Sequence, residues 1–141
     1  MKKIILLFAI VLTALSVKSQ DCEALYDVVH EYLIADDLGR AFVSDGQTYT
    51  AFLDNETAEF TTTLYGGSYY RIAASAGTRD DYALFNIKDL EGNVLFSNQT
   101  QLNSPYWDFK VESTIPVKIQ TSLDTDKKIT GCVVMMIGFI K

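Results

Sequence analysis

Hydrophobic and polar residues alternate along most of the chain, a two-residue period that predicts β-strands. The pattern is clear at residues 59–65, where positions 60, 62 and 64 point to one face and positions 59, 61 and 63 to the other. Threonines and aromatic residues are plentiful, and turn residues recur about every ten positions, as in β-sandwiches and barrels. Strands are predicted in this way at residues 47–53, 59–65, 68–75, 82–88, 94–97, 106–112, 117–123 and 130–140.

One segment near the beginning of the chain has a helical period instead. Its apolar residues recur at spacings of three and four, so they form one stripe on a helix. Asp21 is a suitable N-cap, and Gly39 is placed to end the helix. We therefore predict a helix from Asp21 to about Leu38, with an apolar stripe that consists of Cys22, Leu25, Val29, Tyr32 and Leu33.

The final predicted strand differs from the others because it does not alternate. In the segment TGCVVMMIGFI, both sets of alternate positions are largely apolar, which is typical of a strand covered on both faces. The opposite layer of a β-sandwich covers only one of these faces. The N-terminal helix is the amphipathic element available for the other face, so we predict that it packs across this strand.

Cys22 and Cys132 are the only two cysteines, and they lie at opposite ends of the sequence. Cys22 belongs to the apolar stripe of the helix, and Cys132 shares a face of the last strand with Val134 and Met136. The cysteines can therefore meet where the start of the helix packs over the start of the strand. We predict a disulfide between them, with two buried free thiols as the alternative.

The first residues have the organisation of a secretory signal peptide. Lys2 and Lys3 precede an apolar core from Ile4 to Leu15, and small residues follow at the positions expected before a cleavage site. We predict a signal peptide at residues 1–19, with an uncleaved anchor as the alternative. Residues 20–141 then form a single domain that is secreted or periplasmic. No second segment is long enough to span a bilayer as a helix, so no membrane insertion is expected after cleavage.

The charge of the chain excludes one class of partner. The full sequence has 12 basic and 18 acidic residues and a net charge of −6. Cleavage would remove three lysines and no acid, so the net charge would fall to −9. A chain this acidic is repelled by phosphate backbones, and we predict no nucleic-acid partner.

Few residues are available for catalysis or metal binding. His30 is the only histidine, which excludes sites built on several imidazoles. No G-x-S-x-G turn and no phosphate-binding glycine loop occurs in the sequence. We interpret the polar residues around His30 as a solvated helix face. The prediction is a protein that is not an enzyme and has no metal or cofactor.

The acidic residues make calcium the cation to consider. Acidic pairs occur at 36–37, 80–81 and 124–126, and calcium prefers several carboxylates in one loop. The third pair is followed directly by Lys127 and Lys128, which oppose a cation. Calcium binding is therefore left open.

Aromatic residues supply the candidate binding face. Alternation places Trp107 with Phe109 towards the core. Tyr69 and Tyr106 have the opposite parity and lie beside Arg71. Exposed tyrosines near an arginine suit a polar ligand or a protein partner, so we predict that Tyr69, Arg71 and Tyr106 form a binding face. Ordinary surface residues are the alternative interpretation.

Several stretches resemble a known group of sequences. The segments AEFTTTLYGGSYYRIAASAG, IKDLEGNVLFSN, SPYWDFKVEST and GCVVMMIGFIK resemble small exported bacterial proteins with a β-sandwich of the pre-peptidase C-terminal type. The resemblance covers about residues 58–140 and rests on turns, core aromatics and the last strand. It implies a jelly-roll-like sandwich, export and no catalysis, and it carries over no functional residue.

Taken together, these patterns predict a mostly β protein: an antiparallel, jelly-roll-like β-sandwich of about eight strands with one N-terminal helix. The predicted function is an exported, non-enzymatic binding or accessory module that recognises a protein or glycan partner in the envelope or medium. Alternatives are a self-assembling structural component of the envelope and a small enzyme with an unfamiliar site. The sequence does not indicate an oligomeric state.

Overall fold

A computed structural model of the chain describes residues 22–77 and 82–140. The predicted signal peptide at residues 1–19, the predicted N-cap at Asp21 and the acidic pair at 80–81 lie outside the described residues.

Strands account for most of the described chain, as the alternation predicts. Across residues 22–77 and 82–140 there are one α-helix, one 3₁₀ turn at Asn98–Gln101 and eight strands. The elements are α1 (Cys22–Glu31), β1 (Val43–Asp54), β2 (Ala58–Leu64), β3 (Tyr69–Ser75), β4 (Ala83–Asp89), β5 (Val94–Ser97), β6 (Tyr106–Lys110), β7 (Ile115–Leu123) and β8 (Thr130–Ile140).

The eight strands form two antiparallel sheets. The first sheet has the order β1-β8-β3-β6, and the second has the order β2-β7-β4-β5. Successive strands thus repeatedly cross between the sheets, which is the connectivity of an eight-stranded jelly roll. This confirms the predicted mostly β, jelly-roll-like sandwich with one N-terminal helix.

The main core lies between the two sheets and comes from the inward-facing positions of the strands. In β7, for example, Val117 and Ile119 are fully buried, and Lys118 between them is only half-buried. Phe85 of β4 faces Ile72 and Ile137 of the first sheet within the same core. Trp107 packs against this core with its ring 4.8 Å from that of Phe96, as its parity predicts.

Strand β8 is covered on both faces, as its unbroken apolar sequence predicts. Its inward residues belong to the main core. On the outer face, which points away from the second sheet, Cys132, Val134 and Met136 pack against α1 and the segment that follows it. Leu25 and Val29 are the buried residues of the helix that contribute to this outer cluster.

The predicted disulfide is present, and it joins α1 to β8. Cys22 and Cys132 have their Cα atoms 5.6 Å apart and are separated by 110 positions in sequence. They meet where the first turn of α1 lies over the start of β8, as the parity argument requires. A disulfide of this kind persists in an oxidising compartment.

The helix is shorter than predicted: it ends at Glu31 and not near Leu38. After Glu31, the next three backbone N–H groups donate to the carbonyls three residues earlier. This is the tighter 3₁₀ pattern that commonly ends an α-helix. The side chain of Asp36 then accepts hydrogen bonds from the N–H groups of Leu38 and Arg40. A short polar side chain that bonds to nearby backbone in this way favours a turn over a helix.

Gly138 allows the N-terminal segment to lie close to β8. A Cβ atom at this position would lie 2.8 Å from Cβ of Phe42 and 3.1 Å from Cδ2 of Leu33. We expect Gly138→Ala to lower the free energy of unfolding by about 1–3 kcal/mol, the usual effect of overpacking a core. Urea denaturation measures the change, with Thr130→Ala at the exposed start of the same strand as control. Equal stability of the two variants would contradict the close packing.

Candidate functional site

The predicted binding face lies on the outer face of the first sheet. Tyr69 and Arg71 belong to β3, and Tyr106 belongs to the neighbouring strand β6. The three residues share one face of the sheet, as their parity predicts. The N-terminal segment also packs on this face, and both tyrosines are half-buried against the outer cluster.

Arg71 is enclosed by groups of the protein and forms four hydrogen bonds with them. Its side chain forms a two-pronged ion pair with Asp108, with Nε to Oδ1 at 2.6 Å and Nη2 to Oδ2 at 2.7 Å. Nη1 donates to the carbonyl oxygens of Tyr32 at 2.7 Å and Ala35 at 3.2 Å. Hydrogen bonding of the guanidinium to the carboxylate of Asp108, which accepts, is the main reason why the pKa of Arg71 is raised. Arg71 therefore ties the segment that follows α1 to the sheet.

Two aromatic rings complete the surroundings of the guanidinium. The carbon Cζ of Arg71 lies 4.2 Å from the ring centre of Tyr106 and 4.6 Å from that of Phe42. Only 4% of Arg71 is exposed. The expectation that Arg71 faces solvent is therefore wrong, because the N-terminal segment covers it. Recognition of a partner by the half-exposed Tyr69 and Tyr106 stays a prediction.

The acidic side of α1 has the geometry of a solvated helix face. Glu23, Asp27, His30 and Glu31 are exposed, and the ring of His30 stacks on that of Tyr26 with centres 5.9 Å apart. Within residues 22–77 and 82–140, no group of three or more histidines, cysteines, aspartates or glutamates is arranged to hold a metal ion. No helix in the same part of the chain is long and apolar enough to cross a membrane.

A second candidate surface lies at one end of the sandwich, which we call the loop end. It includes the connections at residues 55–57, 98–105 and 124–129. The N–H group of Asn55 donates to the carbonyl of Ile129 at 3.0 Å, and Nδ2 of Asn103 donates to Oδ2 of Asp124 at 3.0 Å. These bonds fix the three connections relative to one another.

The side chain of Asn98 organises the longest of these connections from within. Asn98 is fully buried, and its Nδ2 donates to the carbonyl oxygens of Ala83 at 2.9 Å and Ser104 at 3.1 Å. Its Oδ1 accepts from the N–H group of Phe85 at 2.8 Å. One buried amide thus joins the two ends of the loop and anchors both of them to β4.

The backbone of the same loop is held in an uncommon conformation. The carbonyl of Asn98 accepts hydrogen bonds from the N–H groups of both Leu102 and Asn103. Leu102 has a φ of 56° and Asn103 a φ of 55°, which places both in the left-handed region. For a residue such as leucine this conformation costs roughly 1–2 kcal/mol, so the hydrogen bonds of Asn98 are needed to maintain it.

Leu102 occupies the most exposed part of this loop. Its exposure is 96%, the highest among the large hydrophobic residues that the structure describes as exposed. The site thus combines a fixed backbone with an apolar side chain that contacts almost nothing in the protein. Sequence reasoning missed Leu102. The available signal was a single leucine inside the polar run SNQTQLNSP, which is too weak to identify a site without the loop geometry.

Comparisons with known proteins support the fold. No family model and no curated protein matches the chain. Among solved structures, the chain is similar to PliG of Aeromonas hydrophila, a periplasmic lysozyme inhibitor of g-type lysozyme. The TM-score is 0.51 and the identity 10%, over 67% of this chain and 85% of that chain. At this identity the likeness concerns the fold alone, and it agrees with the β architecture described above.

Proposed function

We propose that this protein is an exported, non-enzymatic module that binds another exported protein through its loop end. The observation that carries the proposal is Leu102, almost fully exposed on a loop that the buried Asn98 holds in place. A protein partner with an apolar depression would bury this side chain. Complete burial of a leucine contributes about 1.5–3 kcal/mol.

The rigidity of the loop strengthens this interpretation. Binding by a mobile loop loses free energy because the loop must become ordered, whereas a fixed loop has already met that requirement. The left-handed backbone at Leu102 ends the 3₁₀ turn, and it leaves the side chain almost fully exposed. Strained, well-anchored loops of this kind are found at binding and catalytic sites.

Export and the absence of catalysis are supported by separate observations. The disulfide between Cys22 and Cys132 favours an oxidising compartment, which agrees with the predicted signal peptide. A solved structure to which the fold is similar is a periplasmic inhibitor and not an enzyme. We extend this to a concrete candidate, in which the protein binds and inhibits a lysozyme. The predicted relation to pre-peptidase C-terminal sandwiches stays a prediction.

The variant Leu102→Asn tests the loop end without disturbing the loop. Asparagine tolerates the left-handed conformation better than leucine, so stability should stay equal or rise slightly. We expect capture of the partner to weaken about tenfold or more, because the apolar anchor is lost. The measurement is a crosslinked pull-down from envelope and medium with the protein as bait, followed by inhibition assays against c-, g- and i-type lysozymes.

Leu90→Asn is the matched control, because Leu90 is 52% exposed on the β4–β5 turn at the other end of the sandwich. It should leave capture unchanged. Capture that survives Leu102→Asn would contradict the loop-end assignment. Loss of capture in a stable Tyr69→Ala/Tyr106→Ala variant would place the contact on the predicted face instead. Recovery of the bait alone, in multimers that grow with concentration, would favour the self-assembling envelope component.

A further inference from the structure

A large cleft lies at the end of the sandwich opposite the loop end, between strands β1 and β2. It has a volume of about 820 Å³, within the range of small-molecule sites. Strands β1 and β2 are edge strands of different sheets, so no backbone hydrogen bonds close the gap between them. The walls of the cleft include Asp45, Tyr49, Thr62, Tyr65, Ser68 and Tyr70.

An irregularity in β1 directs a carboxylate to the cleft. The pairing of β1 with β8 shifts register between Ser44 and Thr48, so Asp45 lies within a bulge. Gly46 has a φ of +86°, which glycine adopts without strain. Oδ1 of Asp45 accepts from the N–H group of Gln47 at 2.9 Å, which fixes the orientation of the carboxylate. Bulges often redirect a side chain next to a functional site in this way.

Tyr49 forms the aromatic floor beside this carboxylate. Its ring stacks on that of Phe60, with centres 3.8 Å apart and planes inclined by 11°. Its hydroxyl donates to Oδ2 of Asp45 at 3.2 Å. Burial, and after it the negative charge of Asp45, raises the pKa of Tyr49. The phenol therefore remains protonated and keeps its hydroxyl in the cleft.

Tyr70 contributes a buried hydroxyl that the protein itself does not satisfy completely. The phenol oxygen accepts a hydrogen bond from the N–H group of Tyr65 at 2.9 Å. Among the described residues its proton has no acceptor, although Tyr70 is only 4% exposed and lines the cleft. A phenol can donate as well as accept a hydrogen bond, so this proton is available to an oxygen atom of a molecule bound in the cleft.

The chemistry of the walls selects among ligand classes. Aromatic rings alternate with neutral hydroxyls, and the rim carries Tyr65 with 62% of its surface exposed. Asp45 is the single carboxylate in the lining, and no described lining residue is a lysine or arginine. A cleft with one carboxylate and no cationic side chain in its lining disfavours anions. A purely apolar ligand would leave the hydroxyls of the cleft without partners. A sugar offers both C–H faces for the rings and hydroxyls for the polar groups.

We propose that this cleft binds a neutral carbohydrate, with Asp45 and Tyr70 bonding to sugar hydroxyls and Tyr65 stacking on a sugar ring. The site is separate from the loop end and does not depend on the proposed protein partner.

Titration calorimetry of the protein with cellohexaose, N-acetylchitohexaose and maltohexaose tests the proposal. We expect saturable binding of at least one, with a Kd between about 1 mM and 1 μM. Tyr65→Ala, at an exposed position, and Asp45→Asn, at a half-buried one, should each weaken this binding about tenfold. Tyr70→Phe should weaken it while keeping the ring in place. Leu102→Asn serves as the control and should bind the sugar normally, whatever its effect on protein capture.

Three outcomes would overturn the proposal. One is that none of the three oligosaccharides binds with saturation. Another is binding that Tyr65→Ala and Asp45→Asn leave unchanged at equal melting temperature. The third is stronger binding of a cationic probe, arginine amide, than of every sugar, since that would make the cleft a site for basic side chains.

Discussion

Replacing both Cys22 and Cys132 by alanine is expected to lower the free energy of unfolding by up to about 4–5 kcal/mol. The bond joins residues 110 positions apart, so it restricts nearly the whole described chain in the unfolded state. The chain-entropy estimate for a loop of this length gives the figure quoted, as an upper value. Since a domain of this size is stable by only about 5–15 kcal/mol, the loss is a large share of the total.

The effect should be concentrated at the N-terminal helix. A ten-residue helix is marginal by itself, and α1 is held on the sheet by a few buried side chains, such as Leu25 and Val29. Without the bond, α1 can detach while the two sheets remain paired. The outer face of β8, with Val134 and Met136, would then become accessible to water.

Urea denaturation of the double cysteine-to-alanine variant measures the loss, and hydrogen exchange locates it. We expect amide protection to fall first in α1 and in the outward residues of β8. The wild-type protein under reducing conditions should match the variant, and the variant should not respond to the reductant. A loss below about 1 kcal/mol, or a uniform loss of protection, would contradict the role assigned to the bond.

The sequence predicts how α1, β8 and the disulfide are arranged, because alternate residues of a strand lie on opposite faces of the sheet. The unbroken apolar sequence of β8 requires a cover on each face, and only the N-terminal stripe supplies the second. The disulfide between Cys22 and Cys132 is predicted from that single requirement. Alternation likewise places Trp107 towards the core, and the structure has it there. The alternating pattern is sufficient to predict which of the two faces of a strand a side chain lies on.

Features that depend on a distant residue were not predictable in the same way. The segment that follows α1 is held on the sheet by Arg71, which lies far away in sequence and donates to the carbonyls of Tyr32 and Ala35. The loop around Leu102 depends on contacts that Asn98 makes with β4. Nothing in the local pattern of either segment identifies such a partner.

Parity also explains why Arg71 was expected on an exposed face although it is buried. It places Tyr69, Arg71 and Tyr106 on one face, but it does not say whether that face is covered. The segment after α1 covers it, and the cover includes Phe42, which alternation in β1 does not identify. Similarly, the cleft at Asp45 arises where edge strands of two sheets come together, which is a property of the fold and not of either strand.

Arg71→Leu is expected to lower the free energy of unfolding by about 3–5 kcal/mol, the usual result of breaking a buried ion pair by removing one partner. Asp108 would keep its charge without a counter-ion, and the carbonyls of Tyr32 and Ala35 would lose a donor. Because the side chain of Asp108 is 23% exposed, water can reach it, so we expect the lower part of the range.

Two further variants separate charge from geometry. Arg71→Lys keeps the charge but cannot both form the two-pronged pair and reach the carbonyls of Tyr32 and Ala35, so it should recover only part of the loss. In Arg71→Leu/Asp108→Leu no charge is left unpaired, and this variant should be more stable than Arg71→Leu alone. Urea denaturation of the series measures both effects. A double variant less stable than Arg71→Leu would contradict the cost assigned to the unpaired charge of Asp108. The main contribution of Arg71 to stability would then be its hydrogen bonds to the segment that follows α1.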